Sequence, residues 1–234
     1  MQIEIVPDGN TAAQRGAELL AEQARACVAA RGRFILAVSG GKNPWVMFRM
    51  LADMDIPWEK IEILQVDERA APDGDPDRNL THLKECLLGH APLRAEQIHA
   101  MPVTETDLQA AALQYTRTLQ KLAGTPPVID LVHLGLGPDG HTASLVPGDP
   151  VLNVVDTDVA ITGVYQGRRR MTLTYPTLNR ARSIFWLITD DSKADALQRL
   201  SKGDPSIPAG RVRSDQARII ADRAAASLLD RPAG

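Results

Sequence analysis

The feature that most constrains this chain is an alternation. Short, continuous apolar runs recur along it, and stretches with helical periodicity separate them. Phe34–Val38 (FILAV), 61–66 (IEILQV), 128–134 (VIDLVHL) and 184–188 (IFWLI) are the clearest runs. A run of that length with little polar alternation suits a strand covered on both faces, the situation in a parallel sheet. Weaker strand signals lie at 3–6, 159–164, 171–174 and 217–221. Residues 10–30 read as an Ala-rich helix capped by Asn10 or Thr11, with Ala13, Ala17, Leu20, Ala24, Cys27 and Val28 along one stripe. Further helices are predicted after Pro44, up to Leu88, over 105–122, over 192–200 and over 222–229. Strands alternating with helices predict an α/β fold with a mostly parallel sheet and helices on both faces. No repeat, low-complexity tract or linker divides the chain, so one domain over residues 1–234 is expected.

Composition excludes several classes of function. With 44% hydrophobic residues and a net charge of −3, the chain can bury enough apolar surface to order itself. No apolar run approaches the roughly 20 residues of a membrane helix. Glu4 and Asp8 stand where a signal peptide needs a basic, then apolar, stretch, so a cytoplasmic location is expected. Cys27 and Cys86 lack metal-ligand spacing and read as small buried hydrophobes. The histidines at 82, 90, 99 and 133 read as surface or packing residues, and no metal site is expected. Aromatics at 4% and a pI near 6.0 give no basis for a nucleic-acid surface.

In open α/β sheets, ligands bind beyond the carboxyl ends of the strands. Three predicted strands end in polar, Gly-containing or charged segments, which should converge on one cleft. Ser39-Gly40-Gly41-Lys42-Asn43-Pro44 joins a strand to a helix. Its glycines let backbone N–H groups approach an anion at a helix N-terminus, or simply allow a tight turn. Asp67-Glu68-Arg69 reads as an internal ion pair or as a set of site carboxylates. The segment Gly135-Leu136-Gly137-Pro138-Asp139-Gly140-His141 satisfies GxGxxG after a strand. Only 142–146 remain for a helix before Pro147-Gly148, too few for a dinucleotide-binding crossover. Asp139 lies close enough in sequence to orient or charge-pair His141 as a general base; the other reading is a histidine capping a short helix. Arg168-Arg169-Arg170 reads as a solvated face from which one member can reach the cleft as a phosphate clamp. Lys193 opens a helix, where a cation opposes the dipole unless an anion answers it.

Taken together these pieces resemble the 6-phosphogluconolactonase family. The resemblance rests on SGG…P at 39–44, VDER at 66–69, GLGPDGHTASLVPG at 135–148, RMTLTYPTLNRAR at 170–182, Lys193 and DRAAA at 222–226. The GHTASLVPG segment is the most specific, because the related glucosamine-6-phosphate deaminases carry a GHIAFNEP-like sequence there. Those deaminases also tend to lack the arginine of DER. The resemblance implies a three-layer, Rossmann-like α/β fold shared with the deaminases. It implies metal-free and cofactor-free hydrolysis of 6-phospho-D-glucono-1,5-lactone to 6-phosphogluconate. His141 would then activate water, assisted by Asp139, with Arg69 near the substrate. Gly40, Gly41, Lys42, Arg170 and Lys193 would hold the phosphate, and Ser39, Asp67, Asn79, Gly137 and Gly140 would complete the pocket.

The partner would be a small phosphosugar lactone, with no nucleic acid or membrane, and the protein a monomer or weak homodimer. A lactone is an activated ester, so no covalent nucleophile is required, and the chain has no Gly-x-Ser-x-Gly elbow. The chain departs from the family where Lys42-Asn43 replaces hydroxyl residues after SGG, where Arg78 precedes Asn79, and where an aromatic is missing from 217–221. A phosphosugar deaminase or isomerase is the alternative enzyme. A non-catalytic phosphosugar sensor is the alternative from another class, though no DNA-binding helical module is read from the sequence.

Overall fold

A computed structural model describes residues 1–229; positions 230–234 of the expected domain lie outside the described residues. Seven strands form one parallel sheet in the order β1-β10-β9-β6-β2-β3-β5. They are β1 (Gln2–Val6), β2 (Phe34–Val38), β3 (Ile61–Gln65), β5 (Ile98–His99), β6 (Leu131–Leu134), β9 (Ser183–Ile188) and β10 (Ala217–Asp222). A second, antiparallel sheet joins β4 (Asp67–Arg69), β8 (Arg170–Leu173) and β7 (Val159–Ile161) in the order β4-β8-β7. The helices are α1 (Gly9–Arg31), α2 (Lys42–Ala52), α3 (Asn79–Leu83), α4 (Leu108–Ala123), α5 (Tyr175–Arg180) and α6 (Ala194–Ser201), and a π-helical turn, Lys84–Leu88, continues α3.

The sheet alternation sorts the core into two layers, one on each face. Phe34, Leu36 and Val38 of β2 and Phe185 and Leu187 of β9 pack with α1, α2 and the turn after α3. Ile35 and Ala37 of β2 and Ile184, Trp186 and Ile188 of β9 pack on the other face with α4, α6 and the small sheet. Period-2 side-chain direction produces this division, and it explains why the central strand β2 is apolar at every position.

Several boundaries differ from the sequence reading. Asp8, not Asn10 or Thr11, caps α1, its carboxylate accepting from the Thr11 N–H at 2.8 Å. Asp107 caps α4, which moves that helix start from 105 to 108. Helix α2 starts at Lys42, ahead of Pro44. No helix follows His141; Thr142 and Leu145 bridge across a tight turn instead. The closing segment is a short helical turn, Ala225–Leu228, rather than a helix over 222–229. Strands β4 and β5 are additions, too short to stand out as apolar runs.

The chain runs outward from β2 through β3 to β5, then returns to β6 on the other side of β2 and continues to β9 and β10. The switch point therefore lies between the carboxyl ends of β2 and β6, where such sheets form a crevice. His133 of β6 lies beneath it, fully buried, with Nδ1 accepting from the Ser39 N–H at 3.4 Å. The ring is flanked by Phe48 and Phe185, with centroids 5.3 and 5.6 Å away. Burial pushes the His133 pKa down to about 3.

His133 is neutral in the fold and takes up a proton on unfolding, so its stabilising contribution is complete above the unfolded value near 6.5 and is lost as pH falls toward 3. Wild-type stability is expected to fall by up to about 1.4 kcal/mol per pH unit from this group between pH 6 and 4. His133→Gln, which keeps an acceptor, should show a flatter slope. Urea unfolding at several pH values measures both.

Candidate active site

The strand-end segments Ser39–Asn43, Asp67–Arg69 and Gly135–Leu136–Gly137 meet in one cleft of about 400 Å³, within the ordinary range for small-ligand sites. The structure brings Ser39, Gly40, Gly41, Lys42, Asp67, Arg69, Asn79, Gly137, His141, Arg170 and Lys193 into its lining. Asp139 stands behind His141. Gly140 does not line the cleft, which corrects its assignment to the substrate pocket. It adopts φ +80°, and a Cβ there would lie 2.5 Å from Ile207 Cβ, so this glycine serves packing and turn geometry.

His141 is held by its own loop. Asp139 Oδ1 accepts from the His141 backbone N–H at 3.1 Å and faces ring Nδ1 at 2.6 Å. The Gly137 N–H donates to the His141 carbonyl at 2.8 Å, closing the loop. A Cβ on Gly137 would stand 2.0 Å from His141 Nδ1 and 2.6 Å from Asp139 Oδ1, so only glycine leaves room for the pair. With the Nδ1 proton turned to the carboxylate, Nε2 is the accepting nitrogen. Burial alone would raise the Asp139 pKa; the His141 N–H, the His141 charge and the Tyr165 hydroxyl outweigh it and keep the carboxyl below its ordinary range.

The cations come from different elements. Arg69 of β4 and Arg170 of β8 are direct partners across the antiparallel ladder. Arg170 is buried, and its Nε finds no hydrogen-bond partner among the described residues. Its burial, then the nearby Arg69 charge, push its pKa down. Arg69 donates to the Asp77 carbonyl at 2.6 Å, and its buried Nε is likewise unpartnered among the described residues. Lys193 precedes α6, and desolvation lowers its pKa despite Asp190 and Asp139. These cations, with Lys42 at the start of α2, face a common space, which is the arrangement that binds an anion such as a phosphate.

Other residues of these segments tie the cleft to the scaffold. Of the three successive arginines only Arg170 enters the cleft, while Arg168 pairs with Asp75 at 2.9 Å and Asp77 at 2.8 Å. Glu68 is fully buried and accepts from the N–H groups of Arg69, Asn79 and Leu80, each at 2.8 Å, so it fixes β4 to the start of α3. Arg78 lies against Glu68 at 3.6 Å and Asp73 at 2.6 Å, outside the cleft. Asp67 accepts from Ser144 Oγ at 2.6 Å, and Asn79 Nδ2 donates to the Asp67 carbonyl at 3.0 Å.

Of the fourth strand end, the sequence reading singled out only Lys193 as a site residue. Thr189, Asp190 and Ser192 after β9 line the cleft, and Asn43 bonds Thr189 across it. Asp190 holds φ +88°, and both its backbone N–H and that of Ala225 donate to Asp222. The signal was present in the late DRAAA segment, which carries Asp222.

The chain matches the family model described as glucosamine-6-phosphate isomerases/6-phosphogluconolactonase over residues 7–221. A 6-phosphogluconolactonase of Mycobacterium tuberculosis is 36% identical, the alignment covering 97% of this chain and 98% of the relative. The crystal structure of 6-phosphogluconolactonase from Thermotoga maritima superposes with a TM-score of 0.85 at 25% identity, covering 94% of this chain and 98% of that one. A monomeric glucosamine-6-phosphate deaminase superposes with a TM-score of 0.85 at 20% identity, over 97% of this chain and 100% of that one, a likeness of fold alone.

An unpaired cationic cleft predicts stabilisation by anions. Inorganic phosphate at 100 times its dissociation constant should add about 2.7 kcal/mol, a rise in Tm on the order of 5–10 °C. Arg170→Ala should remove most of that rise in a thermal-shift titration against chloride-matched controls.

Proposed function

The chain belongs to the glucosamine-6-phosphate isomerase/6-phosphogluconolactonase family, and from that membership we propose how its cleft works. The protein hydrolyses 6-phospho-D-glucono-1,5-lactone to 6-phospho-D-gluconate, the lactone-opening step of the oxidative pentose phosphate pathway. One observation carries the reading: a carboxylate-oriented histidine shares a single cleft with a desolvated lysine and two arginines that have no carboxylate partner within salt-bridge distance among the described residues.

Arg170, Lys193, Lys42 and the backbone at Gly40 and Gly41 hold the phosphate. Binding energy from this non-reacting end places the distant C1 against His141. His141 Nε2 takes a proton from water as the water oxygen bonds to C1. Asp139 holds the ring and stabilises the imidazolium that forms. The C1 carbonyl electrons move onto oxygen, where Arg69 is placed to answer the developing charge. The tetrahedral centre then collapses, the bond from C1 to the ring oxygen breaks, and the imidazolium returns the proton to that oxygen. Asp67, tied to Ser144 and Asn79, keeps the pocket wall in place between Arg69 and the histidine loop.

The fold is shared with a deaminase and does not separate the two chemistries. Relatives at 36% identity that are named 6-phosphogluconolactonase favour the lactonase chemistry.

His141→Ala should lose kcat by about 10²–10⁴-fold while still binding phosphate. A variant that hydrolyses freshly generated lactone at the wild-type rate, with spontaneous opening subtracted, would remove His141 from the role of base. Arg170→Ala should raise KM by at least about tenfold, the loss of one charge-assisted contact. An unchanged KM would sink the clamp assignment.

A further inference from the structure

Residues between β7 and β8 form a tight hairpin that the reaction described above does not use. Tyr165 and Arg168 pair antiparallel, with N–H to carbonyl distances of 2.9 and 3.3 Å. Gln166 at φ +51° and Gly167 at φ +79° turn the chain, and positive φ at both central residues is the mark of the turn that suits a two-residue hairpin. The hairpin is anchored at its far side by the ion pairs of Arg168 with Asp75 and Asp77. Asp77 also supplies the carbonyl that holds Arg69. Its tip is therefore not a free loop but a fixed strap between two walls of the cleft.

Tyr165 sits at the working end of this strap and makes three contacts with the machinery. Its hydroxyl donates to Asp139 Oδ2 at 3.3 Å, the oxygen that His141 leaves unused. Its ring meets the His141 ring edge-on, with centroids 5.6 Å apart at 65°. The Arg170 guanidinium carbon lies 4.9 Å from the Tyr165 ring centroid. Gln166 adds a hydrogen bond from Arg170 Nη2 at 3.0 Å. A carboxylate held through one oxygen can swing about its terminal torsion, whereas one held through both is fixed. A buried arginine without a carboxylate partner can likewise take several rotamers, and an aromatic face selects one.

We infer that Tyr165 is a positioning residue that sets the general-base pair and the phosphate clamp in one geometry, its hydroxyl acting on Asp139 and its ring on Arg170. The inference rests on the roles given to His141 and Arg170 above. The hydroxyl contact and the ring contacts belong to different chemical parts of one side chain, so they can be removed separately.

Tyr165→Phe keeps the ring and loses the hydroxyl. With freshly generated 6-phosphogluconolactone, kcat should fall about three- to tenfold with KM within about twofold of wild type. Tyr165→Ala should show the same loss in kcat and, in addition, a rise in KM of about three- to tenfold. Inorganic phosphate, read by thermal shift, should stabilise Tyr165→Phe as it does wild type and Tyr165→Ala markedly less. A Tyr165→Phe enzyme with wild-type kcat, or a Tyr165→Ala enzyme with wild-type KM and phosphate response, overturns the inference. So does an equal change of kcat and KM in both variants, the pattern of general loosening. His141→Ala measured in parallel separates the failures. Activity retained there removes the base assignment itself, while an inactive His141→Ala beside a wild-type Tyr165→Phe removes only the role of Tyr165.

Discussion

Two arginines stand directly opposite each other on neighbouring antiparallel strands, and much of the architecture serves to keep them there. Like charges in that register repel, on the order of 2 kcal/mol for groups several ångströms apart in a partly desolvated setting. Left to local preference, Arg69 and Arg170 would turn toward separate carboxylates, as Arg168 does with Asp75 and Asp77. The fold prevents this. Glu68 is buried and saturated with backbone donors, so it pins β4 without neutralising Arg69. Asp67 spends its carboxylate on Ser144. Arg170 is buried, bonded to Gln166 and set over the Tyr165 ring, where burial and the nearby Arg69 charge work against its charge. An anion that reaches either guanidinium would relieve a repulsion that folding has already imposed, a direct physical reason for affinity toward negative charge.

The same logic extends to the other side of the cleft. Lys193 lies ahead of a helix whose dipole disfavours it, on a turn whose backbone at Asp190 takes a conformation that side-chain-bearing residues rarely adopt. Asp222, at the end of the neighbouring strand, holds that turn by accepting the Asp190 N–H. The histidine loop is arranged oppositely, with the His141 and Gly137 N–H groups bonded within the loop and the Asp139 carboxylate against the ring. The cleft thus has an electrically strained wall and a relaxed, hydrogen-bonded one. A substrate carrying charge at one end and an ester at the other matches this polarity.

Much of this was legible in the sequence, for identifiable reasons. The central strand β2 announces itself because both faces are covered, leaving an unbroken apolar run with the strand's own bounds, whereas β6 starts at Leu131 rather than at 128. Polar strand ends pointed to the cleft because a parallel sheet gathers them on one edge. Strands β7 and β8 were signalled by the runs at 159–164 and 171–174, but β4, and with it the pairing into a small sheet, was not. Its strands are three or four residues long, and the residues that face the cleft, such as Arg69, look like loop chemistry until the pairing with Arg170 is known. Helix starts at Asp8 and Asp107 were displaced by a few residues because the capping carboxylate lies outside the apolar stripe. Gly140 was misplaced for a related reason. In GxGxxG-like segments a glycine that admits a ligand and one that admits a neighbouring isoleucine look the same, and only Ile207, distant in sequence, tells them apart. Tyr165 carried no signal, since its partners Asp139 and Arg170 come from other parts of the chain.

One residue joins the two sheets. The Val66 N–H donates to the Val38 carbonyl at 2.9 Å on the large sheet, and the Val66 carbonyl accepts from the Leu173 N–H at 2.8 Å on the small one. Only Val66, a bend, separates β3 from β4, so no slack loop lies between scaffold and charge. Side chains along a strand alternate sides, so adding or deleting a single residue within β4 ahead of Arg69 would swing the arginine to the opposite face. Substitutions along this segment change the site by degrees, while a change in length would abolish it outright. The spacing of the segment is thus held more tightly by geometry than its composition, and descendants of this chain can drift in residue identity there long before they can drift in number.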